Sequence, residues 1–95
     1  MPAYVIADVT VTEPTGFEEY RKQVPATVTK YGGRFLARGG KHEKLEGGWQ
    51  PSRLVIIEFP SLEQAKRWHD SQEYREPKAL RQKTAKTNVV LVEGV

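Results

Sequence analysis

Three charged residues sit inside runs that otherwise read as apolar strands: Asp8 in AYVIADVTV, Arg38 at the end of RFLAR, and Glu58 in LVIIEF. Burying a charge among strand hydrophobes costs several kcal/mol unless a partner compensates it. Arg34 and Arg38 share a parity around Leu36, and Glu58 shares one with Leu54 and Ile56, so simple alternation predicts Arg34, Arg38 and Glu58 on inward faces. Arg38 is followed by Gly39 and Gly40, where bare backbone lets an anion approach closely. Its planar guanidinium could clamp a carboxylate or an enolate through two parallel N–H donors. The competing role is a salt bridge from Arg38 to Glu58 or Asp8 that ties strands together. Asp8 and Glu58 are the acid–base candidates. If their strands are neighbours the two carboxylates approach each other, and like charges in a dry site raise one pKa toward the range a general base needs.

Ser71 and Tyr74 follow a break after the second helix, where their hydroxyls could orient a polar substrate, although Ser71 also suits a helix cap. Trp68 lies on the apolar stripe just before them and would shape a wall. His42 and His69 are the only histidines, and neither has a partner at metal-ligand spacing, so no metal site is read here. Trp49, in the Gly-rich segment EGGWQPSR, is expected to land on a partner subunit or to close a pocket. Arg53, after it, could pair with Glu46 or with the partner chain. No Walker loop appears, and the glycines of GGRFLARGG bracket a strand rather than lead into a helix, so no dinucleotide fingerprint is present.

The elements that must position these residues follow from periodicity. Residues 3–11 alternate as a strand with both faces largely apolar, which marks a central position. Thr15 to Glu18 reads as a capping box opening a helix whose stripe is Phe17, Tyr20, Val24, Val28 and Tyr31, with Pro25 expected to kink it. Gly32 and Gly33 end that helix. Strands are expected over 34–38 and 53–59, separated by a segment too long for a tight hairpin. Ser61 caps a second helix with Leu62, Ala65 and Trp68 inward; Ser71 caps a third running to about Thr84; a last strand covers 88–92. The order β-α-β-β-α-β predicts the split-βαβ, ferredoxin-like α+β plan, a four-stranded antiparallel sheet with its helices on one face. The other face keeps Val, Ile and Leu side chains without a helix to cover them, which predicts a homodimer.

Composition limits the functional classes. Ninety-five residues are expected to form one domain, and a chain this short hides only roughly 60–65% of its unfolded surface. The net charge is +3, from fifteen basic and twelve acidic residues that are interleaved along the chain. The one basic stripe that might meet nucleic acid (Arg75, Lys78, Arg81, Lys86) reads as a solvated helix face, so no nucleic-acid partner is expected. No apolar run is long enough to span a membrane, and the first residues read as a strand rather than a secretion signal. Zero cysteines exclude disulfides and a thiol nucleophile and suit a cytoplasmic setting.

The segments YVIADVTV, YGGRFLARGG, LEGGWQPSRLVIIEFPS, SQEY and VLVEGV, spread over nearly the whole chain, together resemble the DUF1330 proteins, small bacterial domains in the dimeric α+β barrel superfamily. The resemblance implies a pocket between sheet and helices. It places Arg38 and Gly39 in the RGG motif, and Ser71 and Tyr74 at the Ser and Tyr of the family pattern. The superfamily includes cofactor-independent monooxygenases, lactone isomerases, haem-degrading enzymes and ligand-sensing domains. The haem-degrading relatives use a helical histidine and a tryptophan, but the spacing at Trp68 and His69 differs from theirs. The expectation is therefore a pocket that binds or acts on a small anionic or enolisable organic compound without metal, nucleotide or other cofactor. Its rivals are a binding or sensing module without turnover, and a structural dimer in which Asp8, Arg38 and Glu58 form an internal ion network.

Overall fold

The computed structural model describes all 95 residues, in the order β1 (Ala3–Val11), α1 (Pro14–Lys30), β2 (Arg34–Arg38), β3 (Leu54–Phe59), α2 (Leu62–His69), α3 (Gln72–Thr84) and β4 (Ala85–Glu93). The strands form one antiparallel sheet in the order β2-β3-β1-β4. This is the ferredoxin-like arrangement expected from the element order.

Alternation along β1 buries Ala3, Val5, Ala7 and Val9, and the same face carries Val55, Ile57 and Phe59 of β3. Against it pack Val24 and Val28 of α1, Ala65 and Trp68 of α2 and Tyr74 of α3, so all three helices cover one side of the sheet. The other side is open and carries Tyr4, Ile6, Asp8, Leu54, Ile56, Glu58, Val90 and Val92. No helix is long and apolar enough to cross a membrane.

Two helix starts follow the expected caps. The hydroxyls of Ser61 and Ser71 accept from the backbone N–H of Gln64 and Tyr74, each at 3.1 Å. The first helix departs from expectation. Its N-cap is Glu13, with Pro14 in the first turn and no side-chain cap, so Thr15 and Glu18 lie inside the helix. A proline with φ already near helical values and no N–H to satisfy suits that position better than a capping box one residue later. Glu18 instead pairs with Arg21 at 3.0 Å. Pro25 neither ends nor restarts α1, which continues through it to Lys30. What Pro25 does is remove the N–H that would have bonded the Arg21 carbonyl. β4 begins at Ala85, directly after α3, three residues earlier than expected.

The departure with the largest consequence is in β2. Arg34 pairs with Glu58 and Phe35 with Ile57, but Ala37 pairs with Ile56 and Arg38 with Val55. Leu36 is thus an extra residue, a β-bulge, and beyond it the side chains exchange faces. Arg34 points to the open side and Arg38 to the helix side. They do not share a face, as unbroken alternation had predicted.

Candidate anion-binding site

Below the helices the row Arg38, Val55, Ala7 and Val89, one residue from each strand in register, floors a cavity. Its roof comes from Phe17, Tyr20 and Val24 of α1, Trp68 and His69 of α2, and Tyr74 and Arg81 of α3. The space open to the centres of water-sized molecules is ≈ 40 Å³, above the roughly 10–15 Å³ that one buried water requires. Twelve of the seventeen lining residues are hydrophobic. The others are Arg21, Arg38, Arg53, His69 and Arg81, and no Asp or Glu is among them.

Each arginine is placed by a local device. Arg38 reaches across to α1, where its Nη2 donates to the Arg21 carbonyl at 2.6 Å, the acceptor that Pro25 leaves free. Its guanidinium also lies over the Phe35 ring, 4.6 Å from the centroid, a cation–π contact that the bulge makes available by setting both residues on one face. Arg53 continues the inward parity of Val55 and Ile57 back beyond the end of β3. Its guanidinium rests over Gly39, which has φ +72°, and approaches the Phe17 ring at 5.7 Å. A Cβ at Gly39 would collide with that guanidinium, so Gly39 serves the site by making room for Arg53. Arg81 lies on the inward stripe of α3 with Tyr74, Pro77 and Thr84 and is only 6% exposed.

Arg38, Arg53 and Arg81 take part in no ion pair. The Nε atoms of Arg21 and Arg53 are buried without a hydrogen-bond partner. Burial, and then the neighbouring Arg21 and Arg38 charges, push Arg53 below its ordinary pKa. A half-buried cation held beside two like charges, with Glu18 as the one opposing group, carries a cost that an anion in the cavity would relieve.

Two phenols line the same space. The hydroxyls of Tyr20 and Tyr74 are 2.8 Å apart, and Tyr74 stacks on Trp68 with centroids 4.2 Å apart. Burial, reinforced by Tyr74, drives the Tyr20 phenol far above its ordinary pKa, while Arg81 and Arg38 oppose the shift. The Tyr20 phenol stays neutral, and because the mutual bond of the two hydroxyls uses only one O–H, the other remains free to donate. The Trp68 indole is fixed by donating to Thr27 Oγ1 at 3.0 Å. His69 borders the cavity with its pKa lowered, first by burial and then by Lys78, with Arg81 adding to the shift and Asp70 opposing it. It is neutral at neutral pH and able to accept a proton.

The sequence-derived candidates divide between the two faces. Arg38, Trp68 and Tyr74 come together at the cavity. Ser71 does not line it; its hydroxyl donates to the Trp68 carbonyl at 2.7 Å and accepts from Tyr74 N–H, so both functions are spent on capping. Asp8 and Glu58 lie on the open side, away from the cavity. Glu58 sits opposite Tyr4 and Asp8 opposite Leu54, so the two are four residues apart along the sheet, about 13 Å at roughly 3.3 Å per residue. They do not approach each other. Glu58 accepts from Arg34 Nε at 2.7 Å, which replaces the expected network with Arg38. Asp8 accepts from the Trp49 indole and the Ser52 N–H, each at 3.0 Å, and these bonds hold its carboxyl below the usual range, the reverse of what a base poised near neutrality needs. Trp49 therefore clasps the 39–53 loop onto the sheet.

Arg53 and Arg81 were missed as site residues, although the sequence carried a signal for each. Arg53 has the parity of Val55 and Ile57, and Arg81 stands at the 3, 4, 3 spacing of Tyr74, Pro77, Arg81 and Thr84. No cluster of three His, Asp or Glu side chains that could hold a metal ion is present.

The family described as Domain of unknown function (DUF1330) matches residues 2–95. The chain belongs to the DUF1330 family. Solved structures place the DUF1330 fold in wider company. A protein of unknown function from Rhodopseudomonas palustris is similar with a TM-score of 0.78 and 17% identity, covering 99% of this chain and 82% of that one. SnoaB, a cofactor-independent oxygenase from Streptomyces nogalater, gives 0.68 and 11%, covering 99% and 93%. A putative antibiotic biosynthesis monooxygenase from Caulobacter crescentus gives 0.60 and 16%, covering 99% and 90%. At such identities the likeness establishes a shared fold and no shared chemistry. No curated protein matches the sequence.

Proposed function

We propose that this DUF1330 protein takes a small organic anion, a carboxylate or the enolate of an enolisable compound, into the cavity between sheet and helices. One observation carries the reading: an apolar cavity lined by four arginines and a histidine has no carboxylate among its seventeen lining residues. Arg38 clamps the anionic group, Arg53 supports it from above Gly39, the free O–H of the Tyr20–Tyr74 pair supplies a neutral donor, and the aromatic wall holds the carbon skeleton. The fold shared with a cofactor-independent oxygenase is compatible with chemistry on such a compound without metal or nucleotide. If a proton is moved, His69 moves it, because Asp8 and Glu58 are on the far side of the sheet. Capture without turnover is the second reading, favoured by that same lack of a carboxylate base. The reading keeps a cytoplasmic setting and adds a second copy of the chain on the open face.

The test is a thermal-shift screen of carboxylates and enolisable ketones on wild type and Arg38→Ala. A ligand at a hundred times its Kd is expected to stabilise the fold by about 2.7 kcal/mol, several degrees for a domain of this size. A shift in wild type that disappears in a folded Arg38→Ala supports the reading. No shift from any anion overturns it. A ligand recovered unchanged after prolonged incubation selects capture over turnover.

A further inference from the structure

The cations around the cavity fall into two groups at opposite edges of the sheet. Arg38 projects from β2, one edge strand, with Arg21 and Arg53 close enough that the Arg21 and Arg38 charges both act on Arg53. Arg81 belongs to α3, which leads directly into β4, the other edge strand, and it shares a groove with Thr87 and Val89 of that strand and with His69. The row from Arg38 through Val55 and Ala7 to Val89 crosses all four strands. Three strand spacings of roughly 4.8 Å put the two edges about 14 Å apart. The floor between them is apolar, and the Tyr20 hydroxyl lies where both Arg38 and Arg81 act on it.

A single anionic head on Arg38 would leave the second pole unexplained. Arg81 is 94% removed from solvent, counting from its 6% exposure, and its guanidinium has no ion-pair partner. A cation on a residue this enclosed, with no carboxylate in ion-pair reach, gains from a counter-charge. On α3 its neighbours in charge are Lys78, another cation, and on α2 His69, held neutral. Asp70 pairs with His69 at 3.5 Å, and no carboxylate lies within ion-pair distance of Arg81. The Thr87 hydroxyl, on the same side of β4, is buried with no partner.

Building on the proposed anion cavity, we infer that its ligand is a dianion: an organic acid with anionic groups at both ends of a short apolar body, one held by Arg38 and Arg53, the other by Arg81. A short-chain dicarboxylate, or a single ring bearing two acidic groups, has this chemistry. A monoanion with an apolar tail would satisfy one pole and leave Arg81 buried and unpaired.

Matched pairs of ligands test the inference at pH 7.5, where all are ionised: hexanoate against adipate, and benzoate against terephthalate, titrated calorimetrically into the full chain. A charge-assisted hydrogen bond at the second pole is expected to make the dianion at least about tenfold tighter than its monoanionic partner in wild type. Arg81→Gln is expected to erase that difference while leaving monoanion affinity within about threefold, and Arg38→Gln to weaken both. Equal affinities for the two members of each pair in wild type overturn the two-pole inference and leave the anion cavity standing. No binding by any of the four overturns the cavity reading and this inference with it. The wild-type comparison decides even if a variant does not fold.

Discussion

At the residue scale His69 gives the cavity a pH signature. Its pKa is depressed by burial and by Lys78 and Arg81, with Asp70 as the opposing group. An anion in the cavity adds a negative charge nearby, which favours the imidazolium and raises that pKa. In the interval between the free and bound values, the complex therefore holds more protons than the free protein, so affinity must rise as pH falls through it. Benzoate remains ionised over this range, since carboxylates titrate near pH 4. The expected outcome is a benzoate Kd that tightens as the pH falls through and below the ordinary imidazole value of about 6.5. His69→Asn is expected to flatten the profile. A wild-type Kd that stays constant across that interval would remove His69 from the site. For folding the sign differs: the unfolded chain protonates this histidine more readily, so its contribution to stability is present above the unfolded pKa and is lost as pH falls through the folded one.

At the element scale the bulge at Leu36 decides which face receives Arg38, and it yields an unusual expectation. Deleting a residue from a straight strand flips every side chain beyond it. Deleting Leu36 here removes the extra residue, leaving Phe35 opposite Ile57 and Arg38 opposite Val55. The variant lacking Leu36 is therefore expected to fold and to keep its anion-dependent thermal shift, with Kd within about tenfold of wild type. Loss of the shift in a folded variant would mean that β2 is straight and that Arg38 has been turned outward. The same bulge marks where the sequence stopped being legible. Element order, the apolar stripes, the caps at Ser61 and Ser71, and the open sheet face all follow from periodicity and capping chemistry. A bulge leaves no composition signal in RFLAR, so strict alternation put Arg34, Arg38 and Glu58 on one face when two of the three pair across the open side. Pro25 was legible as a helix defect but not in its consequence, the freed Arg21 carbonyl that anchors Arg38. Arg81 was misplaced because charge was weighed above periodicity, although it stands on the inward stripe of α3 with Tyr74, Pro77 and Thr84.

At the scale of the whole molecule the chain exposes more surface than its mass requires. A folded monomer of 10.8 kDa is expected to show roughly 5,500 Å². This one shows 6247 Å², an excess on the order of 700 Å², close to the roughly 800 Å² that one partner contributes to a stable interface. The 39–53 loop accounts for part of the excess. The open sheet face contributes as well, because Leu36, Val90 and Val92 are exposed there beside half-buried Ile6, Leu54 and Ile56. Helices cover only the other face, and a second sheet of the same kind is the complement whose alternation and twist match it. Sedimentation equilibrium at micromolar concentration is expected to give twice the chain mass, with a Tm that rises with protein concentration. Val90 is 60% exposed in the single chain, so Val90→Asp costs the monomer little, but it sets an uncompensated carboxylate into the apolar centre of the paired sheets. That variant is expected to sediment as a monomer with an unchanged far-ultraviolet circular dichroism spectrum. A wild type that sediments as a monomer at these concentrations would show that the open face stays wet, and the surface excess would then belong to the loop alone.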